Sequence, residues 1–260
     1  MHFFSGSSSV AELAVEWLVV LALVAMLAGF IDAIAGGGGL LTIPALLLAG
    51  LNPVQALATN KLQASFGSFT ATRFFVRAGL VKPWAERWAV LATGIGAALG
   101  ALAIQWFDTA LLMQAMPFAL MAIALYLLLA RNVGRSISEP RLNNTAFNSS
   151  AVPAVGFYDG FFGPGTGTFF TLSYCQLRGL NMVQATAHAK LLNFTTNIVS
   201  LTVFILSGQI VWLVGLSMAV GQAIGARLGA ATALKQGVGF IRLMTVAVCV
   251  AISISLLLKG

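Results

Sequence analysis

Two aspartates and two lysines lie inside otherwise apolar sequence, and each pair recurs at matched spacing. Gly29-Phe30-Ile31-Asp32 precedes Gly36-Gly37-Gly38-Gly39, and Gly156-Phe157-Tyr158-Asp159, 127 positions later, precedes Gly163-Pro164-Gly165-Thr166-Gly167. After a two-residue length change in the glycine tract the offset becomes 129. It then holds for Thr42/Thr171, Gly50/Gly179, Asn52/Asn181, Gln55/Gln184, Lys61/Lys190, Gly79/Gly208, Gly96/Gly225 and Gly100/Gly229. In a membrane protein, a carboxylate beside a glycine run is how a helix is interrupted near the midplane to form a substrate or ion site. The expected chemistry is therefore binding and translocation.

An interrupted helix survives in lipid only where protein or a water-filled cavity surrounds the break. The start of the short helix after each break offers free N–H groups and a positive dipole end, a seat for an anion. The candidate donors are Gly37, Gly38, Gly39 and Thr42 in the first copy, and Gly165, Thr166, Gly167 and Thr171 in the second. The competing reading is that these glycines only let helices pack closely. Lys61 and Lys190 either snorkel to an interface or face a polar cavity, since a central cation is costly in the bilayer. Asn60 adjoins Lys61, while His188, Asn193 and Asn197 surround Lys190, making the second copy the more polar and the expected seat of substrate discrimination. Asp32 and Asp159 are the candidate coupling residues, exchanging protons during transport; the alternative is that they cap the broken helices or pair with Lys61 and Lys190.

Long apolar runs must hold these residues. Gln55–Phe75, Trp84–Phe107, Thr109–Ala130, Ala185–Leu206, Ile210–Leu234 and Phe240–Leu258 are of spanning length. Leu13–Ala35 with Leu40–Ala49, and Ala151–Phe162 with Phe169–Gln176, read as broken or re-entrant hairpins. A helix over Leu40–Ala49 would be ~15 Å long, about half of a ~30 Å hydrocarbon core. The fold expected is an all-α membrane domain over 1–260: repeat one at 13–130, a cytoplasmic linker at 131–150 and repeat two at 151–258. Each repeat would contribute a broken hairpin and three spanning helices.

Charge sets the expected orientation. The loop around Gly79 is basic, with Arg73, Arg77, Lys82 and Arg87, whereas no charge lies between Lys190 and Arg227 around Gly208. By the positive-inside rule the two loops face opposite sides, so the repeats are inverted and both termini are periplasmic. The alternative is eight spans in two parallel four-helix repeats.

Composition excludes a soluble domain. Hydrophobic residues make up 59% of the 260 and charged residues 8%, against roughly 25% charged in soluble proteins. The net charge of +7 sits at the ends of apolar runs, which points to a lipid bilayer partner and not to nucleic acid. The first apolar run leads to Asp32 instead of a small-residue cleavage site, so a removed signal peptide is not expected. Cys175 and Cys249 match no metal-ligand spacing. No cofactor or metal is called for, and no motif suggests an enzyme. The alternative is an ion channel, which needs a pore-lining ring normally built by symmetric subunits, and behind it an intramembrane aspartyl protease, whose Gly-x-Gly-Asp partner is missing. Nothing in the sequence fixes an oligomeric state.

Taken together, Gly29-Phe-Ile-Asp-Ala-Ile-Ala-Gly-Gly-Gly-Gly, Pro44, Gly50, Ala56-Leu-Ala-Thr-Asn-Lys61 and Gly156-Phe-Tyr-Asp-Gly-Phe-Phe-Gly-Pro-Gly-Thr-Gly resemble the sulfite exporter TauE/SafE family over almost the whole chain. The resemblance implies a bacterial inner-membrane secondary transporter of small anions, often sulfur-containing, such as sulfite or sulfonates. A proton or sodium ion is the expected coupling partner.

Overall fold

The computed structural model describes residues 15–107, 125 and 137–257, and the secondary structure of those residues is entirely helical. The expected span Thr109–Ala130, and Arg131 and Arg135 of the linker, lie outside the described residues.

Helix α1 (Val15–Ala35) stops where Gly36 takes a φ of 81°, a left-handed conformation that a side chain would resist. The ten-residue α2 (Gly39–Leu48) follows. Helices α3 (Pro53–Arg77) and α8 (Met182–Leu206) are 25 residues each. They start alike: Asn52 accepts from Gln55 N at 2.9 Å and Asn181 from Gln184 N at 3.0 Å, satisfying a donor the helix start leaves free. They also end alike, at left-handed Gly79 and Gly208. Between them come α4 (Arg87–Ala103) with a 3-10 turn at Ile104–Trp106, α5 (Asn144–Ser149), α6 (Ala151–Phe161) and α7 (Thr166–Leu177). The last helix, α9 (Trp212–Leu257), joins the two separately expected runs Ile210–Leu234 and Phe240–Leu258. The bend between them is at Gly237, whose φ of 71° and ψ of −161° interrupt the helical geometry without ending the element. The stretch expected as plain linker also contains a helix, α5, because Asn143 caps it by accepting from Ala146 N at 2.8 Å.

Contacts fix the helix directions. Thr59 Oγ1 accepts from Val211 N, Ser68 Oγ from Asn197 Nδ2, and Phe69 meets Phe194, so α3 and α8 run antiparallel. A Cβ on Gly221, Gly225 or Gly229 of α9 would strike the backbone oxygen of Ala22, Met26 or Phe30 of α1, a register that rises together and makes these helices parallel. The same holds for α4 and α6, where Gly96 and Gly100 lie on Pro153 and Phe157 and Gly160 lies on Ala97. Small residues in steps of four let these backbones touch, which is how helices gain packing contact where lipid offers no hydrophobic contrast. Each such pair takes one helix from either side of the linker.

The two hairpins enter from opposite ends. Gly221 near the start of α9 lies on Ala22 near the start of α1, and Val211 N reaches Thr59 near the start of α3, so the α1–α2 hairpin begins and finishes at the end of the α8–α9 turn. At the other end Leu177 O accepts from Arg141 N and Leu142 N, both at 3.0 Å, and Gly179 O accepts from Ser138 N at 2.8 Å. The α6–α7 hairpin therefore begins and finishes beside the linker.

The surface is apolar and the interior carries the polar groups. Leu91, Ile95 and Leu99 on α4 and Val220, Ile224 and Leu228 on α9 form exposed stripes in steps of four, while Asn60, Lys61, Gln63, Ser65 and Ser68 of α3 are buried. This is the reverse of a soluble protein and matches a lipid surround. Four of the described helical stretches are long and apolar enough to cross a membrane: Val15–Ala35, Arg87–Trp106, Met182–Leu206 and Trp212–Gly237.

Candidate functional site

The glycine turns of the two hairpins meet. A Cβ on Gly36 would collide with the backbone of Gly167 and Thr168, and Thr168 Oγ1 donates to Ala35 O at 2.6 Å. Only glycine allows this approach at Gly36, by its missing side chain and its left-handed φ together.

Around the contact the charged residues pair crosswise. Lys61 Nζ lies 2.8 Å from Asp159 Oδ1 and Lys190 Nζ 2.8 Å from Asp32 Oδ2. Neither lysine snorkels: their side chains are 3% and 0% exposed. The carboxylates bind lysines and not one another, so the shared-proton arrangement of an aspartyl protease is not built here. Each pair is neutral, and each would leave an uncompensated buried charge if one member were removed.

The carboxylates differ in their remaining contacts. Asp32 Oδ1 accepts from Gly38 N at 3.1 Å, so both of its oxygens are occupied. Asp159 Oδ1 takes Lys61 at 2.8 Å and lies 2.8 Å from the Thr166 hydroxyl, which it shares with Gly163 O at 2.7 Å, and its Oδ2 is buried without a partner.

A small polar cavity opens between the glycine turns, with about 20 Å³ of room for water centres, enough for one or two waters. Asp32, Asp159, Lys61 and Asn60 line it, together with Gly39, Gly165, Thr166 and Gly167 and, from α8, Asn193 and Asn197. Asn60 Oδ1 accepts from the Thr42 hydroxyl and from Gln63 Nε2, which turns its amide NH2 group toward the cavity as a donor. Asn197 Nδ2 makes only long contacts, 3.3 Å to Ser68 and 3.4 Å to Asn193.

Other candidates lie elsewhere. Gly37 and Gly38 do not line the cavity; Gly38 packs on Asp32 and gives it its N–H. Thr42 gives its hydroxyl proton to Asn60 and does not itself line the cavity, and the Thr171 hydroxyl turns back to Gly167 O, a local bond available to any helical threonine. Lys190 stands behind Asp32, outside the cavity wall. His188 is the clearest departure: two residues before Lys190 it points to another side of α8, where Nδ1 lies 3.2 Å from Glu86 Oε1 without hydrogen-bond alignment and its ring tilts on Tyr174. It belongs to a cluster at the linker end, in which Tyr174 also donates to Glu86 Oε2 at 3.0 Å. Burial there raises the Glu86 carboxyl, but the His188 contact, the Tyr174 hydroxyl and the Arg178 charge outweigh it and hold the group below its ordinary value.

Sequence reasoning missed Gln222. It reaches the cavity from α9, lies against Gly67, is 1% exposed and has an unpartnered Oε1. Its repeat position is Thr93, so the duplicated pattern does not mark it. A lone glutamine in the apolar run Ile210–Leu234 was the available signal. Among the described residues no group of three or more His, Cys, Asp or Glu could hold a metal ion.

The family model described as sulfite exporter TauE/SafE matches residues 21–256. The chain belongs to the sulfite exporter TauE/SafE family. It is 48% identical over 240 residues to the "Probable membrane transporter protein YfcA" of Escherichia coli (strain K12), covering 92% of this chain and 89% of that protein. It is 44% identical over 246 residues to the "Probable membrane transporter protein ORF9" of Sinorhizobium sp, covering 95% and 94%. A "Probable membrane transporter protein" of Haemophilus influenzae is 44% identical over 236 residues, covering 90% and 92%. No solved structure matches the chain. For this TauE/SafE member the relatives are named as membrane transporters and not as enzymes, and its exposed apolar stripes fit that setting.

Proposed function

We propose that the chain is a secondary transporter of the bacterial inner membrane, exporting small anions that bind between the two glycine turns. The family description names sulfite, and sulfur oxyanions such as sulfite and sulfonates are the substrate class proposed. The observation that carries the reading is a buried polar cavity set where the two hairpins touch, with the Lys61 ammonium and the Asn60, Asn193 and Asn197 amides on its wall. An anion with several acceptor oxygens can take a charge-assisted bond from Lys61 and neutral bonds from the amides without a full extra countercharge.

Inverted repeats are part of the proposal. The antiparallel run of α3 and α8, with hairpins entering from opposite ends, supports it. The cavity has room for water centres of only about 20 Å³, so a sulfonate can enter only if a hairpin moves aside. Hairpins facing opposite ends would open the site to one side at a time, as alternating access requires. The linker end, where Arg77, Lys82, Arg87 and Arg178 gather, would be cytoplasmic, and the termini periplasmic.

The test is a thermal-shift and flux screen of purified protein against sulfite, thiosulfate, sulfoacetate, taurine and size-matched carboxylates. Stabilisation and flux with sulfur oxyanions are expected. Response to carboxylates alone would overturn the sulfur assignment, and response to no anion would overturn the anion site. Cysteines placed at Gly79 and Gly208 should label from opposite sides of the membrane; same-side labelling would replace inversion with parallel repeats.

A further inference from the structure

We propose that Asp159, and not Asp32, takes the coupling proton, and that it does so by releasing Lys61 to the bound anion. This rests on the anion-site reading above and adds how charge is balanced there.

The two acids share a motif but not a set of partners. Asp32 has a donor on each oxygen, Gly38 N on Oδ1 and Lys190 on Oδ2. Asp159 has both of its donors, Lys61 and Thr166, on Oδ1. Its Oδ2 has none, although the side chain is only 3% exposed and the residue lines the cavity together with Lys61. A buried carboxylate oxygen with no donor is costly; protonation removes its charge, and the hydroxyl formed can donate to an oxygen of the bound anion.

An anion entering the cavity meets an ammonium already neutralised by Asp159. Binding it unchanged would leave one net negative charge in a buried site. Taking a proton on Asp159 Oδ2 avoids this: the Lys61–Asp159 ion pair plus an anion and a proton becomes a neutral carboxylic acid plus a Lys61–anion pair. No other bond changes, and the site is neutral before and after. The Thr166 hydroxyl still reaches Oδ1, so the protonated side chain stays in place. A sodium ion on Oδ2 would instead sit beside the Lys61 ammonium, like charge against like, and would not free it.

No other group around Asp159 competes for this role. From α3 comes Lys61; across the cavity stands Asp32 of α1, already paired with Lys190 of α8. Tyr158, next in sequence, donates its hydroxyl to Pro164 O at 2.6 Å. The α4 residues packed on this part of α6, Ala97 and Ala101, do not titrate, nor does Thr166 of α7. One proton per anion makes movement of a monoanion electrically silent, so export draws nothing from the membrane potential and runs on the outward gradient of the anion, against any inward proton gradient.

The test is calorimetric binding of methanesulfonate and of acetate, both fully ionised near neutral pH, to the purified full-length protein in buffers of different ionisation enthalpy. Wild type should take up about one proton per anion bound, and its affinity should fall toward tenfold per pH unit as pH rises, by linkage. Asp159→Asn should bind with no proton uptake and no pH dependence, its folding checked by thermal unfolding. Anion binding without proton uptake in wild type would overturn the proposal even if the variant fails to fold. Uptake persisting in Asp159→Asn would overturn the assignment to Asp159, as would binding that requires sodium when choline replaces it. Failure of both anions to bind would strike the anion-site reading and this inference with it.

Discussion

The Asp32–Lys190 and Asp159–Lys61 pairs come from the same motif and have the same 2.8 Å separation, yet their surroundings differ. In the first hairpin the glycine run keeps its N–H groups, and Gly38 delivers one to Asp32. In the second, Pro164 stands in the run and offers no N–H, and the Thr166 hydroxyl serves Asp159 on an oxygen that Lys61 already occupies. Lys61 lines the cavity and Lys190 does not. The motif that recurs in the sequence gives each half a buried ion pair, and differences in a few residues leave one lysine behind its acid and the other on the cavity wall.

The largest test of this difference is stability. Lys190→Met leaves Asp32 buried with its charge uncompensated and should cost about 3–5 kcal/mol, read as a fall in thermal unfolding temperature in detergent. Lys61→Met should cost more, because Asp159 is the less exposed carboxylate, 3% against 13% for Asp32, and would keep only the Thr166 hydroxyl where Asp32 keeps the Gly38 N–H. Equal losses would mean that the two pairs do not differ energetically.

Anion affinity should show the same order. Lys61→Met removes a charge-assisted bond worth about 1.5–3 kcal/mol, so methanesulfonate binding should weaken by roughly one to two orders of magnitude. Lys190, read from the sequence as a substrate contact, stands behind Asp32 and should affect affinity only as far as it disturbs the fold. A larger affinity loss at Lys190 would reverse the assignment of the open half.

The halves should respond alike where they pack alike. Gly225→Ala forces a Cβ onto Met26 O in the α1–α9 contact, and Gly100→Ala does the same to Phe157 O in the α4–α6 contact. Each should destabilise by about 1–3 kcal/mol, seen as lower unfolding temperatures of similar size. A harmless substitution at one of them would show that the two crossings are not equivalent.

These contrasts also mark what the sequence could convey. The breaks at Gly79 and Gly208 were legible because each acts within one turn of where it stands, whereas Asn52 and Asn181 showed in the sequence only as matched positions and the structure makes them caps. The acid–lysine pairing was legible only as one of two choices, since it joins residues 98 and 158 positions apart. Gln222 was missed because its partners in space are Gly67 and the cavity, neither of which leaves a mark in its own run. His188 was misplaced for a related reason: nearness to Lys190 in sequence says nothing of which side of α8 each occupies, and two residues is about half a turn.

The smallest expected effect lies at the ends of the antiparallel α3–α8 pair. At the linker end His188, Tyr174 and Arg178 surround Glu86; at the other end the position equivalent to His188 is Thr59, whose hydroxyl accepts from Val211 N at 3.1 Å. One end is ionic and the other neutral, so only the first should answer to acid. Because the fold holds the Glu86 carboxyl below its ordinary value, its stabilisation is complete above the usual carboxylate range and is lost as pH falls through the lowered value. Glu86→Gln should therefore cost about 1 kcal/mol near neutral pH and leave a flatter loss of stability toward acid, with the variant and wild type converging at low pH. Thr59→Val should cost a similar amount at every pH. If the Glu86→Gln and Thr59→Val unfolding curves shift in parallel across that range, the linker end holds by hydrogen bonding alone and the ionic contrast between the two ends has no energetic weight.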